Sequence, residues 1–307
     1  MSVVLFAIAL GSAGLMGLAI QRGATCMVAA VDQAVSERHF GRALALGEAA
    51  LWVGGMIALA QLAGLLAMTP TRYAAGGWTV LGGVLLGLGA WVNRACVFGA
   101  IARIGSGQWA WLATPLGFFL GCLIPIARPR ALGHPAPFVN AALVALCFSP
   151  LALWRLVEAL RAPGLLAHLW HPHRATLLIA ITFVSTLLTV GVWAYTDALA
   201  AIARAMDARV GVRGAMVLAL LGGAILGGWL AGKIHWETPT PVAMVRCLAG
   251  GALMGAGSMF VPGSNDGLIM IGLPLLQPHA WIAVLTMVLT IAAPIALARH
   301  FRRPAIA

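Results

Sequence analysis

Long apolar runs separated by short polar breaks fill the chain from end to end. Nine runs are long enough to cross a bilayer, near 2–20, 43–67, 77–94, 109–127, 136–157, 175–197, 213–232, 242–260 and 279–298. Three more apolar pieces, near 23–35, 97–104 and 264–273, are too short to cross, and each follows a Gly-containing break. Non-crossing segments are tolerated at membrane depth only when buried in protein, so these pieces are expected as re-entrant or half-length helices. The pattern therefore predicts an all-α polytopic membrane protein of about nine transmembrane helices plus short re-entrant half-helices.

Composition narrows this further. Among 307 residues there are 19 basic and 8 acidic side chains, 9% in all, against roughly 25% in a soluble domain. Too little polar surface exists to cover a soluble core, which excludes a soluble enzyme, a nucleic-acid-binding domain and a disordered chain. A β-barrel would instead show alternating segments of about ten residues. The net charge of +11 sits in the breaks, at Arg38/Arg42, Arg155/Arg161, Arg204/Arg209/Arg213 and Arg299/Arg302/Arg303. There it sets topology and meets anionic headgroups, so the expected partner is the lipid bilayer and not nucleic acid.

Met1-Ser2-Val3-Val4 lacks a basic region before the first apolar run, and so reads as the start of a span and not as a signal peptide. The five Cys residues (26, 96, 122, 147 and 247) form no C-x-x-C and have no His at zinc spacing, so no structural disulfide, metal or cofactor is expected. The basic tail from Arg299 argues for a cytoplasmic C-terminus, and an odd span count then puts the N-terminus outside. Under that orientation Arg128/Arg130 and Arg204/Arg209/Arg213 fall outside, against the positive-inside rule.

The sequence also repeats. At an offset of 168, residues 82–99 lie over 250–267 with six identities in 18, at Gly82, Gly83, Leu85, Gly87, Gly89 and Gly99, and Cys96 falls on Ser264. The copies begin on spans three and eight, which run in opposite directions, so the repeat is inverted. Inverted repeats with broken helices characterise transporters whose sites lie near mid-membrane. One transport domain over 1–307 is expected, with pseudo-two-fold halves near 1–135 and 175–307 and a linker at 136–174 containing one span. A weaker copy sets Gly17 over Gly87 and Cys26 over Cys96. Near 191–197, where a fourth copy would fall, only Gly191 and Tyr195-Thr196 remain as remnants.

At each copy a Gly-rich helix breaks and a Cys or Ser opens the next short segment: Arg22-Gly23-Ala24-Thr25-Cys26, Asn93-Arg94-Ala95-Cys96 and Pro262-Gly263-Ser264-Asn265. A short helix starting inside the membrane points free N–H groups and a partial positive charge inward, which suits an anion. Cys122, Cys147 and Cys247 lie in continuous runs and read as small hydrophobes. Glu48 and Asp266 are the acids nearest to apolar runs. Both are functional candidates for that reason: Glu48, if it titrates, for proton coupling, while Asp266 could instead cap the short helix that follows Ser264-Asn265.

Gly17-Leu-Ala-Ile-Gln-Arg22-Gly-Ala-Thr-Cys26-Met, Gly87-Leu-Gly89-Ala-Trp-Val-Asn-Arg-Ala-Cys96-Val-Phe-Gly99-Ala and Arg246-Cys-Leu-Ala-Gly250-Gly251-Ala-Leu-Met-Gly255-Ala-Gly257 resemble the YeeE/YedE family of membrane proteins. The resemblance covers roughly 10–125 and 210–295. It implies a compact pseudo-symmetric bundle that takes up thiosulfate across the bacterial inner membrane, is not an enzyme, and works beside a possible soluble sulfur-carrier protein on the cytoplasmic face. Family members line the path with three Cys residues. Cys26 and Cys96 match two of them, and Ser264 in Gly263-Ser264-Asn265 stands at the third.

The implied pathway uses Cys26, Cys96, Ser264, Asn265, Arg22, Arg94, Gly23, Gly99 and Gly263. Thiosulfate is a dianion with hard oxygens and one soft sulfur, and its unpaired passage through hydrocarbon would be prohibitive. Half-helix N–H groups would receive the oxygens, thiols would meet the sulfur, and Arg22 and Arg94 would draw the anion to the mouths or snorkel to headgroups. Ser264 cannot exchange sulfur. Two alternatives stay open: transport of another sulfur or selenium species or a soft metal ion, and a membrane thiol protein that accepts sulfane sulfur.

Overall fold

The computed structural model describes residues 3–23, 26–66, 69–124, 130–135, 137–162, 164, 172–204 and 210–302. The first series of helices is α1 (Val3–Gly23), α2 (Met27–Ser36), α3 (Gly41–Leu62), α4 (Gly77–Asn93), α5 (Val97–Gly105) and α6 (Ala113–Cys122). After α7 (Ala141–Arg161) comes a second series: α8 (Pro172–Val190), α9 (Tyr195–Ala203), α10 (Val210–Leu230), α11 (Pro241–Phe260), α12 (Ser264–Gly267), which runs on as a π-turn over Leu268–Gly272, and α13 (Pro278–Arg302). The described strands are two short ones, β1 (Arg72–Tyr73) and β2 (Ala131–Gly133), paired antiparallel.

Local chemistry sets the helix ends. Asn140 accepts the Leu143 N–H at 3.0 Å to start α7, and Thr240 accepts that of Ala243 at 3.3 Å, with Pro241 opening α11. Arg94 adopts a left-handed φ of 60° and stops α4. The outer surface carries large apolar side chains, including Leu146, Leu153, Leu218, Leu285 and Leu289. In water such a surface would aggregate; in a bilayer it faces acyl chains.

Among the described residues, seven helical stretches are long and apolar enough to cross a membrane, or eight if α8 and α9, bent by 43° at their break, count as one. The region expected to span at 109–127 holds a shorter helix, Trp109–Cys122. A 3₁₀ turn over Trp109–Leu112 takes up its first residues, leaving α6 ten residues long. The short pieces read near 23–35, 97–104 and 264–273 are α2, α5 and α12 with its π-turn. Val3–Ser36 and Gly77–Gly105 each form one apolar stretch, of 34 and 29 residues, with the break inside it. Ala24 and Thr25 of the first break, Arg128, Arg209, Arg303, His168 and His171 lie outside the described residues, as do Met1 and Ser2.

The inverted repeat is visible in the contacts between α4 and α11, which are antiparallel. A methyl group on Gly82 would lie 3.0 Å from the Gly257 carbonyl oxygen, and one on Gly89 would lie 2.7 Å from that of Gly250. At the offset of 168, Gly250 is the mate of Gly82 and Gly257 the mate of Gly89, so the two contacts exchange under the repeat. Gly82 with Val261 and Gly250 with Asn93 form a second reciprocal pair, and Gly89 with Met254 and Gly257 with Leu86 a third. Residue i touching j while j's mate touches i's mate is the signature of a two-fold axis. The helix order follows the same offset: α1 to α5 correspond to α8 to α12 within a few residues, α6 corresponds to the first part of the longer α13, and α7 stands alone. The copy that the sequence barely shows is therefore present as α8 and α9, broken at Ala194.

Direction follows from packing. α13 lies parallel to α4, with Gly83 against Ala283 and Gly87 against Met287, and α10 lies parallel to α1, with Gly17 against Leu220 and Leu18 against Gly227. Arg299 near the end of α13 bonds the Val35 carbonyl near the end of α2. So α2 and α5 run toward the face that carries the end of α13, and α9 and α12 run toward the other face. Their first turns meet in the middle.

Candidate functional site

Cys26 and Cys96 occupy equivalent backbone positions, each the extended residue just before a short helix. Neither thiol caps its own helix. Instead the Met27 N–H, the first of α2, donates to Cys96 Sγ at 3.3 Å across 69 positions of sequence. The two thiols are close enough to interact directly and are not joined by a disulfide. Gly99 makes this possible: a Cβ there would stand 2.6 Å from Cys26 Sγ and 3.1 Å from its Cβ. Asn93 fixes the break from below, donating to the Ala95 carbonyl at 2.9 Å and accepting from Thr114 at 3.0 Å.

The mates of these residues form the second half of the site. Gly263 takes a φ of 95°, a conformation that glycine tolerates, and turns the chain from α11 into α12. Ser264 and Asn265 are each 1% exposed. Among the described residues, Ser264 Oγ and both side-chain polar atoms of Asn265 have no hydrogen-bond partner. Leaving such groups buried and unpaired costs about 1–3 kcal/mol each, so three together mark a place where a polar guest would be welcome. Asp266 accepts from the Thr196 N–H at 3.1 Å, from the Thr196 hydroxyl and from the Gly267 N–H at 3.0 Å. It thus caps α9, the neighbouring short helix, as well as holding its own first turn. α12 also touches α5, so the thiol and hydroxyl halves share a boundary.

A cavity of about 780 Å³ opens beside the second half. Gly263 and Gly267 form its floor, and Asp197, Arg204, Arg213, Gln277 and His279 stand on its walls. Residues around β1 and β2, including Tyr73 and His134, line its rim. The cavity borders the start of α13. That 25-residue helix is about 37 Å long, so the cavity and the C-terminal end of α13 lie at opposite faces.

The sequence profile of the sulphur-transport family matches residues 22–293, nearly the whole chain. The chain belongs to that family. No curated protein matches it. The family, with the membrane-capable helices, makes this a multi-pass membrane transporter of sulfur compounds, which handles a small anion within a lipid bilayer.

Of the residues singled out from sequence, the fold brings Cys26, Cys96 and Gly99 into one cluster and Gly263, Ser264 and Asn265 into its mate. Gly23 and Arg22 are half-buried at the end of α1. Arg94 is exposed, apart from the buried atoms of the transporter's centre. Glu48 is held bidentate by Arg155, with both contacts at 2.7 Å, and Arg155 and Arg174 share Glu158. That network ties α3, α7 and α8 together, and occupies the acid that the sequence offered for proton coupling.

Sequence reasoning missed Asn93 as a positioning residue, and missed Asp197, Arg204 and Arg213 on the cavity wall. A signal for the arginines was present: Arg204 and Arg213 broke the positive-inside rule.

Proposed function

We propose that the protein takes up thiosulfate across the bacterial inner membrane, with its C-terminus cytoplasmic, as a single transport domain spanning 1–307 with inverted halves 1–135 and 175–307 joined through 136–174. The observation that carries this reading is the meeting of Cys26 and Cys96 at the first turns of two short helices, with Ser264 and its unpartnered hydroxyl as the two-fold mate.

On this reading the anion enters the cavity from outside, drawn by Arg204 and Arg213. Its hard oxygens accept hydrogen bonds from the Ser264 hydroxyl and the Asn265 amide nitrogen, which no described residue engages. The soft sulfur then meets the thiols of Cys96 and Cys26, whose S–H groups are weak donors. The first turns of α2, α5 and α9 turn positive helix ends toward this centre and offset the two negative charges. Sites in series, each holding the ion weakly, let it enter and leave. Arg22, at the end of α1 and four residues before Cys26, would help to draw the ion along the path. A soluble sulfur-carrier protein on the cytoplasmic face would receive the cargo. No step requires a covalent change in the anion, and the role assigned is transport and not catalysis.

The test is uptake of labelled thiosulfate into proteoliposomes, with sulfite, sulfate, selenite and copper as competitors. Thiosulfate is expected to be accumulated and to be displaced poorly by sulfate, which lacks the soft atom. Equal displacement by sulfate would overturn the substrate assignment, and transport of copper with no transport of thiosulfate would assign a soft cation instead. Growth of an uptake-deficient strain on thiosulfate as sole sulfur source, lost with Cys96→Ala although the protein still inserts, is the matching test in cells.

A further inference from the structure

The cavity contains one acid that the transport path does not use. Asp197, in the first turn of α9, lines the cavity wall beside Arg204 and Arg213. Its carboxylate packs against Gly267 of α12, where a Cβ would stand 3.5 Å from Asp197 Oδ2, an ordinary contact distance. Across that contact lies Asp266, 2% exposed and already an acceptor for three donors. Two carboxylates this close in a membrane protein's interior cannot both stay charged cheaply. Asp266 is buried and already accepts from three donors, whereas Asp197 lines the cavity, so an exchangeable proton belongs on Asp197.

Among the described residues the ionisable groups that act on Asp197 are Arg213 on α10 and Asp266 on α12, and Asp197 in turn acts on Cys122 on α6. Arg204, just past the end of α9, and His134 and His279 share the cavity wall, and Tyr195 at the start of α9 faces Asp266. That the cavity is built for a polar guest is shown independently by Gln277 Nε2 and His279 Nδ1. Both residues line it and are 3% exposed, and among the described residues those two atoms have no hydrogen-bond partner, although the His279 ring bonds the Tyr73 backbone.

We propose that Asp197 is the proton-carrying group that couples anion uptake to the proton gradient. An anion brought to Arg204 and Arg213 stands next to Asp197. A charged carboxylate there repels it and competes for the arginines, whereas the neutral acid does neither. Anion and proton therefore bind together and travel together, and acid on the cavity side drives uptake. This rests on the uptake reading above and adds its energy source.

The experiment uses the full-length protein in proteoliposomes with the membrane potential clamped. Labelled thiosulfate is followed in two modes: exchange against internal thiosulfate with no gradient, and net accumulation with the cavity side made acidic. Thiosulfate itself remains a dianion over the working range, so a pH effect reports on the protein. For one proton carried per anion, each pH unit of gradient raises the limiting accumulation by up to about tenfold. Native protein and Asp197→Glu are expected to show this response. Asp197→Asn is expected to exchange thiosulfate and to lose the response to the gradient. Native protein that exchanges but ignores the gradient, or Asp197→Asn that accumulates like native, overturns the inference while leaving the transport reading intact. Native protein that does not exchange thiosulfate at all overturns the transport reading instead. Should Asp197→Asn neither exchange nor accumulate, Asp197→Glu decides: exchange without a gradient response in that variant overturns the coupling role.

Discussion

The two halves of the centre share a backbone and divide their chemistry. At the offset of 168, Cys26 corresponds to Ala194 and Cys96 to Ser264, and the contrast continues around them. Ala29 and Phe98 in the first half stand where the second has Asp197 and Asp266, Val28 and Val97 stand for Thr196 and Asn265, and Ser36 and Ala45 stand for Arg204 and Arg213. The first half is closed and soft, with two thiols set among apolar side chains. The second is polar, holds unpaired donors and acceptors, and opens into a cavity. A repeat needs only the backbone to be conserved for its helices to pack. That leaves the side chains of each break free to differ, and on the proposed reading one serves hard oxygens and charge and the other a polarizable sulfur.

The comparison is broken most directly by removing the soft side. Cys96→Ala deletes the thiol that receives the Met27 N–H, and thiosulfate uptake is expected to fall to background with normal membrane insertion, checked by uptake and by immunoblot of the membrane fraction. Cys96→Ser is the sharper variant, since it gives the first half its mate's hydroxyl. Transport undiminished by that change would show that the division between soft and hard halves has no function.

Next in size is Gly99→Ala. The added methyl must push Cys26 away, because its sulfur lies 2.6 Å from the new atom and Ala95 Cβ lies 3.0 Å from it on another side. Overpacking of this kind costs about 1–3 kcal/mol, and about 1.4 kcal/mol at the narrowest point of a path is about tenfold in rate. Uptake is expected to drop by about that factor, with a modest fall in melting temperature. An unchanged rate would mean that the contact between the thiols is incidental.

Ser264→Cys has a smaller effect and a more informative one. It makes the two halves alike at this position, so the preference for thiosulfate over sulfite in competition is expected to rise by a few-fold, since a net hydrogen bond of about 1 kcal/mol to a hard oxygen is exchanged for a softer contact. Ser264→Ala is expected to weaken both substrates together. If Ser264→Cys leaves the ratio unchanged, the hydroxyl does not choose between them.

Much of this was legible in the sequence, and the part that was not has a physical cause. Apolar runs and their breaks are dictated by the bilayer, so the short helices at α2, α5 and α12 could be placed from composition alone. Gly82, Gly83, Gly87 and Gly89 revealed the repeat because close helix contact permits little else at those positions. The break at Ala194 was hidden because the residue before a helix needs an extended backbone and no particular side chain, and here it has lost the Cys or Ser that marks the others. The cavity was hidden because its walls come from segments far apart in sequence, from Thr69 to His279. Arg204 and Arg213 therefore looked like loop charges. Glu48 illustrates the converse: alone in an apolar run it suggested function, and only the arrival of Arg155 from α7 reveals an ion pair.

That pair supplies the smallest expected effect on transport, and it tests whether α7 belongs to the mechanism at all. α7 has no mate in the repeat, and only 11% of its apolar window is buried. It is joined to α3 through Arg155 and Glu48, whose side chains are 12% and 11% exposed, and to α8 through Glu158 and Arg174. Glu48→Gln leaves Arg155 with Glu158 but removes a charge-assisted bidentate contact that is largely shielded from water, an expected loss of about 2 kcal/mol. The variant should therefore melt several degrees lower in detergent while taking up thiosulfate at close to the native rate and with the native response to a pH gradient. A gradient response lost in Glu48→Gln and kept in Asp197→Asn would move the coupling proton from the polar half of the centre to the clamp on α7, and would make the one helix outside the repeat the source of the drive.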